Sequence, residues 1–486
     1  MEIRVEEVLK KVFAYSSGDT WFFTDFTFLL TLPFLLLGYA FLQRLKWTKL
    51  AYICLFSLFF YYKSSGPFLL LFVAVIIVDF LLAWYISSLE GKWRKFLLFL
   101  SVLYSLSFLL YFKYSGFIIE NLNAIFGTEF GERSLFLPIG ISFYTFQSLS
   151  YLIDVYRKEI RPSGNLLEYA FYMTFFPHLV AGPIVRAKDF LPGIHQPLPA
   201  SPFLIKEGLF KIASGLAKKL LLADFLAKYV DMVHAFPEGF SGVEHAMSAY
   251  AYTFQIYFDF SGYSDIAIGI ALLLGYRLKE NFNSPYLSGN ITEFWRRWHI
   301  SLSLWLRDYV YIPLGGNRKG LFNQYLFLII TMLIGGFWHG ADWKFVVWGL
   351  AHGLLLVFHK LLSPLWKNTA TWLSPLQIFF TFHLVGILWV FFRADSIDAA
   401  ALSIRIIASQ FHPGELLNFY GARPEIMLVL LISALLVFFP QKAKQFLISR
   451  ILTFPLFLWP LILLVVLQLI LQFKDHTVQP FIYFQF

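Results

Sequence analysis

The sequence predicts an all-α, polytopic membrane protein. Of its 486 residues, 58% are hydrophobic and 20% are aromatic, and only 14% are charged, against about 25% in an average soluble domain. Apolar runs close to the roughly 20 residues that cross a hydrocarbon core recur along the chain. Lipid offers no hydrogen-bond partners, so a spanning segment satisfies its backbone groups best as a helix. We therefore expect a bundle of roughly 11 or more helices, with some re-entrant or interfacial segments.

The candidate spans are the longer apolar runs. The clearest are Phe22–Leu42, Pro67–Ile86, Phe96–Phe112, Phe136–Tyr156, Tyr250–Leu274, Leu321–Trp338, Phe345–Leu362, Ile378–Phe392, Ile426–Phe439 and Phe454–Phe473. Two shorter runs, Leu50–Tyr62 and Leu166–Ala181, cannot cross a bilayer without distortion, and we expect them to be distorted spans or re-entrant segments.

The loops between the early runs alternate in charge. Basic residues cluster at positions 44–49, 92–95 and 157–161, whereas the intervening loops carry Lys63 alone or mixed charges. The positive-inside rule then places the basic loops in the cytoplasm and the amino terminus outside. The first 21 residues lack an uninterrupted apolar stretch, so a cleaved signal peptide is not expected. The net charge of +9 follows from the same loop bias and gives no indication of nucleic-acid binding.

We interpret residues 1–486 as a single membrane domain whose catalytic core lies at about residues 136–360. There, polar residues, prolines and glycines interrupt the apolar runs. Pro177 and Pro183 rule out a regular helix, and irregular backbone at membrane depth must be buried in protein or line a wet cavity. We therefore expect a cavity wall there. The single cysteine, Cys54, excludes a disulfide within the chain and is interpreted as a small buried hydrophobe.

One predicted span carries two carboxylates. Helical spacing puts Gln255, Asp259 and Gly262 on one face, with Asp265 beside them. A carboxylate at the centre of a bilayer costs a few kcal/mol unless it is paired or hydrated. We therefore expect these groups to face a cavity or neighbouring polar groups.

The segment from Glu293 to Gly320 has the pattern of an interfacial amphipathic helix. Interpreted as one helix, it separates an apolar stripe from Arg297, Ser301 and Asp308. The stripe consists of Trp295, Trp298, Leu302, Trp305, Leu306 and Tyr309. The glycine-rich turn that follows, PLGGNRKG, offers amides for a small anion nest, although any exposed turn would look similar.

Histidines are the strongest candidates for chemistry. His339 follows Gly335, Gly336, Phe337 and Trp338 in apolar sequence, and an ionisable group in such a place is by default a functional-site hypothesis. A neutral imidazole also suits general base catalysis near neutrality. The competing interpretation is a surface-anchored helix followed by a buried structural histidine.

The other histidines give weaker signals. We expect His352 and His359 to be hydrogen-bonded core residues. No metal site is expected, because no histidine pair in the middle and later membrane region has the i, i+4 spacing of a zinc helix.

Several long motifs carry a resemblance to a known family. They are SFYTFQSLSYLIDVYR, FFPHLVAGPIVR, QIYFDFSGYSDIAIG, ENFNSPYLSGNITEFWRRWHISLSLWLRDYVYIPLGGNR, GGFWHGADWKFVVWGLAHG and the terminal PFIYFQF. The sequence resembles the membrane-bound O-acyltransferase (MBOAT) family, in its bacterial alginate O-acetyltransferase (AlgI-like) branch, with DltB-type D-alanyl transferases more distant. The resemblance covers nearly the whole chain and is strongest over residues 140–355.

That resemblance implies a mechanism and a location. It gives His339 the role of the catalytic histidine and His299 that of a second histidine. It also implies a bundle of helices around a central funnel in the bacterial inner membrane. Acetyl-CoA would enter from the cytoplasm as the acyl donor, not as a permanently bound cofactor, and the acetyl group would move toward an exported polysaccharide. Whether His339 acts as general base or as transient acyl acceptor stays open.

The resemblance also implies partners. A separate periplasmic acetyltransferase of the SGNH type would pass the acetyl group on. Candidates to hold the CoA phosphates are Arg296, Arg297, Arg307 and Arg318; contacts with lipid headgroups explain these arginines equally well. Two alternatives remain: a DltB-like enzyme that draws its acyl group from a carrier-protein thioester, and a transporter or flippase with buried carboxylates and histidines along its path.

Overall fold

The computed structural model describes residues 13–16, 20–131, 135–180, 182–199, 201–366, 373–473 and 481–482. Within these ranges the chain forms helices joined by loops, and no strand occurs, which confirms the all-α prediction. Two compact units are present. The first contains the described residues within 1–212 and 266–279, and the second contains those within 213–265 and 280–486.

The first unit contains the early helices. They are α1 Phe26–Phe41, α2 Lys46–Ser65, α3 Phe68–Ser88, α4 Gly91–Leu109, α5 Ser115–Phe126, α6 Ile141–Tyr156, α7 Leu166–Thr174, α8 Phe176–Leu179, α9 Ala187–His195 and most of α10 Pro202–Ala217. A π-helical turn, Leu110–Tyr114, joins α4 to α5. Cys54 on α2 is buried, as predicted.

The proline-interrupted segment is irregular, as expected. The backbone breaks at Phe175, between α7 and the four-residue helix α8. Phe175 and His178 are buried, and their rings pack against Phe190 at centroid distances of 5.2 and 5.4 Å. The predicted cavity wall is therefore corrected: this backbone is stabilised by burial in protein among aromatic rings, the other condition under which irregular backbone is tolerated at membrane depth.

The second unit contains the later helices. They are α11 Asp224–Ala235, most of α12 Gly242–Leu273, α13 Ile291–Arg297, α14 Ile300–Leu306, α15 Ile312–Leu314, α16 Leu321–His339, α17 Trp343–Trp366, α18 Ser374–Arg393, α19 Ile397–Gln410, α20 Glu415–Ala422, α21 Pro424–Phe438, α22 Gln441–Leu452 and α23 Trp459–Phe473. Two π-helical turns, Lys218–Ala223 and Arg307–Tyr311, follow α10 and α14.

Seven helices among the described residues are long and apolar enough to cross a membrane, and an eighth is possible if α20 and α21, bent by 103°, form one span. The seven are α3, α4 continuing through α5, α12, α16, α17, α18 and the segment Leu456–Phe473. Two predicted spans are shorter than expected. The run from Phe22 gives a 16-residue helix, and the run from Phe136 becomes helical only at Ile141.

The two carboxylates of α12 face polar groups, as predicted. Lys219, only 2% exposed, lies between Asp224 and Asp259, with N–O distances of 2.7 and 2.8 Å. The second Asp259 oxygen accepts a hydrogen bond from the backbone N–H of Ile482 at 2.8 Å. Asp265 pairs with Lys218 in the same way. A buried carboxylate is tolerated here because a buried ammonium and a backbone donor neutralise and satisfy it.

Glycines set the spacing of α16 and α17. A Cβ at Gly336 would lie 2.3 Å from the carbonyl oxygen of Phe345 and 3.0 Å from the Cα of Gly349. A Cβ at Gly353, further along α17, would lie 3.1 Å from the Cα of Ile329, which precedes Gly336 in α16. The two helices therefore run antiparallel. Only hydrogen at these positions allows the two backbones to approach so closely. This crossing fixes the end of α16, where His339 lies.

Candidate active site

His339 is the last residue of α16 and is 4% exposed. Three aromatic rings surround its imidazole edge-on: Trp338 at 5.0 Å, Trp348 of α17 at 5.2 Å and Phe392 of α18 at 5.2 Å. We call these three residues the aromatic cage. Edge-to-face packing at such distances is favourable and restricts the orientation of the imidazole. The predicted catalytic histidine is therefore held rigidly in a mostly apolar setting.

The prediction of a single helix over Glu293–Gly320 is wrong. The chain breaks into α13 and α14 at His299, whose backbone has φ 41°, in the left-handed region. A non-glycine residue in this region costs about 1–3 kcal/mol, and such strain occurs mostly where the surrounding structure enforces it. The apolar stripe itself is confirmed. All six of its members are buried: Trp295, Trp298, Leu302, Trp305, Leu306 and Tyr309.

The break is enforced by a loop that precedes α13 in the chain. The backbone N–H of Ile300 donates to the carbonyl of Asn281 at 2.9 Å, and the N–H of Asn283 donates to the carbonyl of Arg297 at 2.9 Å. The side-chain oxygen of Asn281 also accepts bonds from the backbone and hydroxyl of Ser301, at 3.1 and 2.9 Å. His299 is thus clamped on both sides by residues that lie more than a dozen positions upstream.

Asn281 also determines the tautomer of His299. Its side-chain oxygen lies 3.3 Å from Nδ1 of His299. This oxygen already accepts the N–H of Ser301, so it is the amide oxygen, and Nδ1 of His299 carries the proton. Burial lowers the pKa of His299 to about 3, which keeps the ring neutral at physiological pH. Its Nε2 therefore presents a lone pair.

Trp338 connects the two histidines. Its ring contacts His299 at a centroid distance of 6.1 Å and His339 at 5.0 Å. Phe260 of α12 covers the other side of His299 at 4.7 Å. The structure therefore brings both predicted histidines into one aromatic cluster, although they are 40 positions apart in the chain.

Two buried donors lie on α17: Trp348, which contacts His339, and His352, which contacts Trp348. His352 of α17 contacts Trp348 at 4.6 Å, and its Nδ1 accepts a hydrogen bond from the indole N–H of Trp295 at 3.3 Å. That bond leaves the proton of a neutral His352 on Nε2. Neither this Nε2 nor the indole nitrogen of Trp348 has a hydrogen-bond partner among the described residues. An unpaired buried donor costs about 1–3 kcal/mol, and such groups in a native fold call for a functional explanation.

The four arginines occupy different settings. Arg297 pairs with Glu293 at 2.6 Å, and Arg307 pairs with its neighbour Asp308 at 2.7 Å. Arg296 and Arg318 are exposed and form no ion pair with any described residue. The 19-residue helix α16 separates Arg318 from His339, about 28 Å along the axis at 1.5 Å per residue. The structure thus leaves Arg296 and Arg318 available and does not bring Arg318 to the cage.

The prediction of a hydrogen-bonded core histidine is confirmed for His352, whereas His359 is hydrogen-bonded but only partly buried. His352 is hydrogen-bonded to Trp295, and Nδ1 of His359 lies 2.8 Å from the hydroxyl of Thr292. No group of three or more His, Cys, Asp or Glu side chains converges as metal ligands in the described ranges. Sequence reasoning did not identify Asn281 or Trp348. The asparagine of ENFNSP gives no local signal, and the tryptophan of FVVWGL looks like any core aromatic residue.

Comparisons with known proteins place this cluster in a family context. The membrane-bound O-acyltransferase family profile matches residues 56–391. The probable alginate O-acetylase AlgI of Azotobacter vinelandii is 42% identical over 400 residues, 81% of this chain and 78% of that protein. The peptidoglycan O-acetyltransferase of Helicobacter pylori is 37% identical over 402 residues, 76% of each chain. The teichoic acid D-alanyltransferase of Bacillus subtilis is more distant, at 28% over 263 residues, 51% of this chain and 66% of that protein.

Proposed function

The chain belongs to the membrane-bound O-acyltransferase family and is an O-acyltransferase, and from this premise we propose that it transfers acetyl groups to an exported polysaccharide. The donor is cytoplasmic acetyl-CoA, and the protein lies in the bacterial inner membrane. The observation that carries the proposal is the buried His339 in its aromatic cage, where the indole N–H of Trp348 has no acceptor among the described residues and the adjacent His352 has a second such donor. The names of the alginate and peptidoglycan relatives support an acetyl group and a polymer acceptor.

His339 acts on the acceptor hydroxyl. An imidazole nitrogen takes the hydroxyl proton while the oxygen attacks the carbonyl carbon of the thioester. The carbon–sulfur bond then breaks, and the CoA thiolate leaves and takes up a proton. In the covalent variant the imidazole nitrogen itself attacks the carbonyl and displaces the CoA thiolate. The acceptor oxygen then attacks the acyl-imidazole, and its proton passes to the imidazole that is released. Both variants need the rigid orientation that the cage gives to the ring.

The two unpaired donors supply the complementary half of the site. Attack on a thioester moves negative charge onto the carbonyl oxygen, and preorganised N–H donors stabilise that charge. The indole N–H of Trp348 and the Nε2–H of His352 are assigned this role. His299 assists from the other side of Trp338, because its Nδ1–H tautomer leaves Nε2 as a proton acceptor.

The donor and partner assignments follow from charge and from the family. Arg318, on the exposed glycine-rich turn, is the candidate to hold the CoA phosphates. A periplasmic acetyltransferase of the SGNH type receives the acetyl group and passes it to the polymer. In the alternative arrangement a carrier-protein thioester replaces acetyl-CoA, as the 28% identity to a D-alanyltransferase suggests.

The test is acetyl transfer by the purified protein in lipid nanodiscs with isotopically labelled acetyl-CoA. His339→Ala is expected to reduce turnover by about 10²–10⁴-fold, as the loss of a general base does. His383→Ala is the matched control. This histidine also lies on a span and contacts the hydroxyl of Tyr250 at 2.9 Å, but it has no part in the cage, so its variant should retain activity.

Three outcomes would count against the proposal. A His339→Ala variant that keeps more than about a tenth of wild-type turnover would remove the catalytic assignment. Activity that requires a loaded carrier protein would favour the alternative donor. Wild-type protein that leaves acetyl-CoA intact, with and without acceptor, would refute the acetyl-CoA reaction.

A further inference from the structure

A cavity of about 290 Å³ lies between the second half of α17, the first half of α18 and the start of α13. It includes no residue of the aromatic cage. Its wall is almost entirely apolar, with Leu355 and Phe358 on α17 and Phe380 and Leu384 on α18. Phe358 and Phe380 are more than half exposed, and both belong to helices of spanning length. The cavity therefore opens on a side that faces hydrocarbon in a membrane.

The few polar groups of the wall are already engaged within the protein. Asn290 accepts the backbone N–H of Glu293 at 2.9 Å, Thr381 donates to the carbonyl of Gln377 at 2.8 Å, and His359 contacts the hydroxyl of Thr292. A ligand with several amides, such as the pantetheine arm of CoA, would bury polar groups without partners here, at a cost of about 1–3 kcal/mol each. A hydrocarbon chain meets no such cost.

The rim of the cavity is positively charged. Thr292 of α13 contacts His359 of α17 at 2.8 Å. Arg296 lies one helical turn after Thr292, and Lys360 directly follows His359. Neither Arg296 nor Lys360 forms an ion pair with a described carboxylate, whereas the adjacent Arg297 does. Like charges held close together without a counter-ion form a site for an anion, and phosphate is a preferred partner of arginine.

Apolar wall and charged rim follow one another along the helix axis. On α18 the lining runs from Leu376, near the helix start, to Leu384, about 12 Å at 1.5 Å per residue. On α17 it runs in the opposite direction, from Leu355 through His359 at the rim to Leu362, near the end of the span. The charged rim thus lies near the ends of two spans, at the depth of lipid headgroups, and the apolar part extends from it toward the bilayer centre.

We propose that this cavity binds one acyl chain of an anionic phospholipid, with the headgroup phosphate between Arg296 and Lys360. The loop before α16 carries Arg318 and Lys319 at the same end of the α16–α17 pair as Lys360, because these helices are antiparallel. This concentration of basic residues places the site in the cytoplasmic leaflet. Arg296 then serves the lipid, which leaves Arg318 for the acyl donor.

The experiment is native mass spectrometry of delipidated protein, titrated with dioleoyl phosphatidylglycerol or with dioleoyl phosphatidylcholine. One tightly bound phosphatidylglycerol is expected, and phosphatidylcholine, with the same chains and no net charge, should bind more weakly. Lys360→Gln should weaken phosphatidylglycerol binding about fivefold, since a basic residue near a membrane surface contributes about 1 kcal/mol. Lys319→Gln, at the same end but outside the lining, should leave the tight site unchanged.

A second pair of variants tests the apolar part. Leu384→Trp fills the deep end of the cavity and should reduce tight binding of phosphatidylglycerol. Ile387→Trp, on the same helix and half exposed but outside the lining, should not. Equal binding of the two lipids, or full binding by both Lys360→Gln and Leu384→Trp, would overturn the proposal. Thermal stabilisation by inorganic phosphate alone, equal to that by phosphatidylglycerol, would show a soluble-anion site and would also overturn it. The measurement uses no acyl donor, so its result is independent of the acetyl-transfer assay.

Discussion

Replacing Trp348 with phenylalanine tests the assignment of its indole N–H as a donor to the reacting carbonyl. The substitution keeps an aromatic ring beside His339, where the indole lies at 5.2 Å, and removes the N–H. Loss of one oxyanion donor typically reduces kcat by about 10²–10³-fold. We expect that loss in kcat with little change in the KM for acetyl-CoA, because the interaction forms only as charge develops on the oxygen.

The effect on stability should be small. Trp348 is 1% exposed, and loss of part of its ring costs on the order of 1–2 kcal/mol of packing, less than the 3–5 kcal/mol of truncation to alanine. Removal of a buried N–H that has no described partner recovers about 1–3 kcal/mol. The two terms nearly cancel, so the variant should unfold close to the wild-type temperature while its turnover is much reduced.

Trp389→Phe is the matched control. Its ring packs on Trp348 at 5.6 Å, but its indole N–H already donates to the hydroxyl of Tyr286 at 3.1 Å. This variant should lose about 0.5–1.5 kcal/mol of stability, the value of a typical hydrogen bond, and keep most of its activity. The assay is turnover of labelled acetyl-CoA in nanodiscs, together with thermal unfolding of each protein. If Trp348→Phe stays within about tenfold of wild-type kcat, or if both variants lose activity equally, the donor assignment is refuted.

Three further predictions concern the framework of the site. Asn281→Ala should lower stability by about 2–3 kcal/mol, because buried donors lose their acceptor, whereas Asn281→Asp should retain most of it; thermal unfolding of the two variants distinguishes acceptor loss from loss of packing. Lys219→Met should cost about 3–5 kcal/mol by leaving two carboxylates buried without a cation, and additional Asp224→Asn and Asp259→Asn changes should restore most of that loss in the same measurement. Burial lowers the pKa of His299 to about 3 in the folded protein, whereas the pKa of an unperturbed histidine is near 6.5. Between these two pH values the imidazole is protonated in the unfolded chain and neutral in the folded protein. The contribution of His299 to the free energy of unfolding is therefore fully present above about pH 6.5 and should fall by about 2 kcal/mol between pH 7 and pH 5. His299→Gln should reduce this loss. A free energy of unfolding that does not change between pH 7 and pH 5 would contradict the prediction.

The spans could be predicted from the sequence because hydropathy is a local property. The apolar runs beginning at Pro67, Leu321, Phe345 and Ile378 correspond to helices within a few residues. The buried stripe of residues 295–309 was also correct, because helical periodicity continues across a single break. The predicted boundaries of the shorter helices were wrong where packing within the protein, rather than contact with lipid, determines where a helix ends.

The break at His299 could not be predicted, because its causes are not local. Its strained backbone is held by Asn281 and Asn283, and no pattern in the sequence pairs these positions with residues 297–301. Lys219 likewise lies 40 positions before its partner Asp259. The apolar sequence showed that the carboxylate needed a partner, since an unpaired one is too costly. It did not show which of the basic residues in the chain would supply it.

The length of α16 constrains the path by which the proposed cytoplasmic donor reaches His339. Arg318 precedes this helix and His339 ends it, about 28 Å apart along the axis, which is close to the full thickness of a hydrocarbon core. If Arg318 holds the phosphates of CoA, the thioester must therefore cross most of the membrane to meet the cage. An acceptor that approaches from outside would then need only a short path to His339. The aromatic rings around His339 would exclude water that could otherwise hydrolyse the thioester.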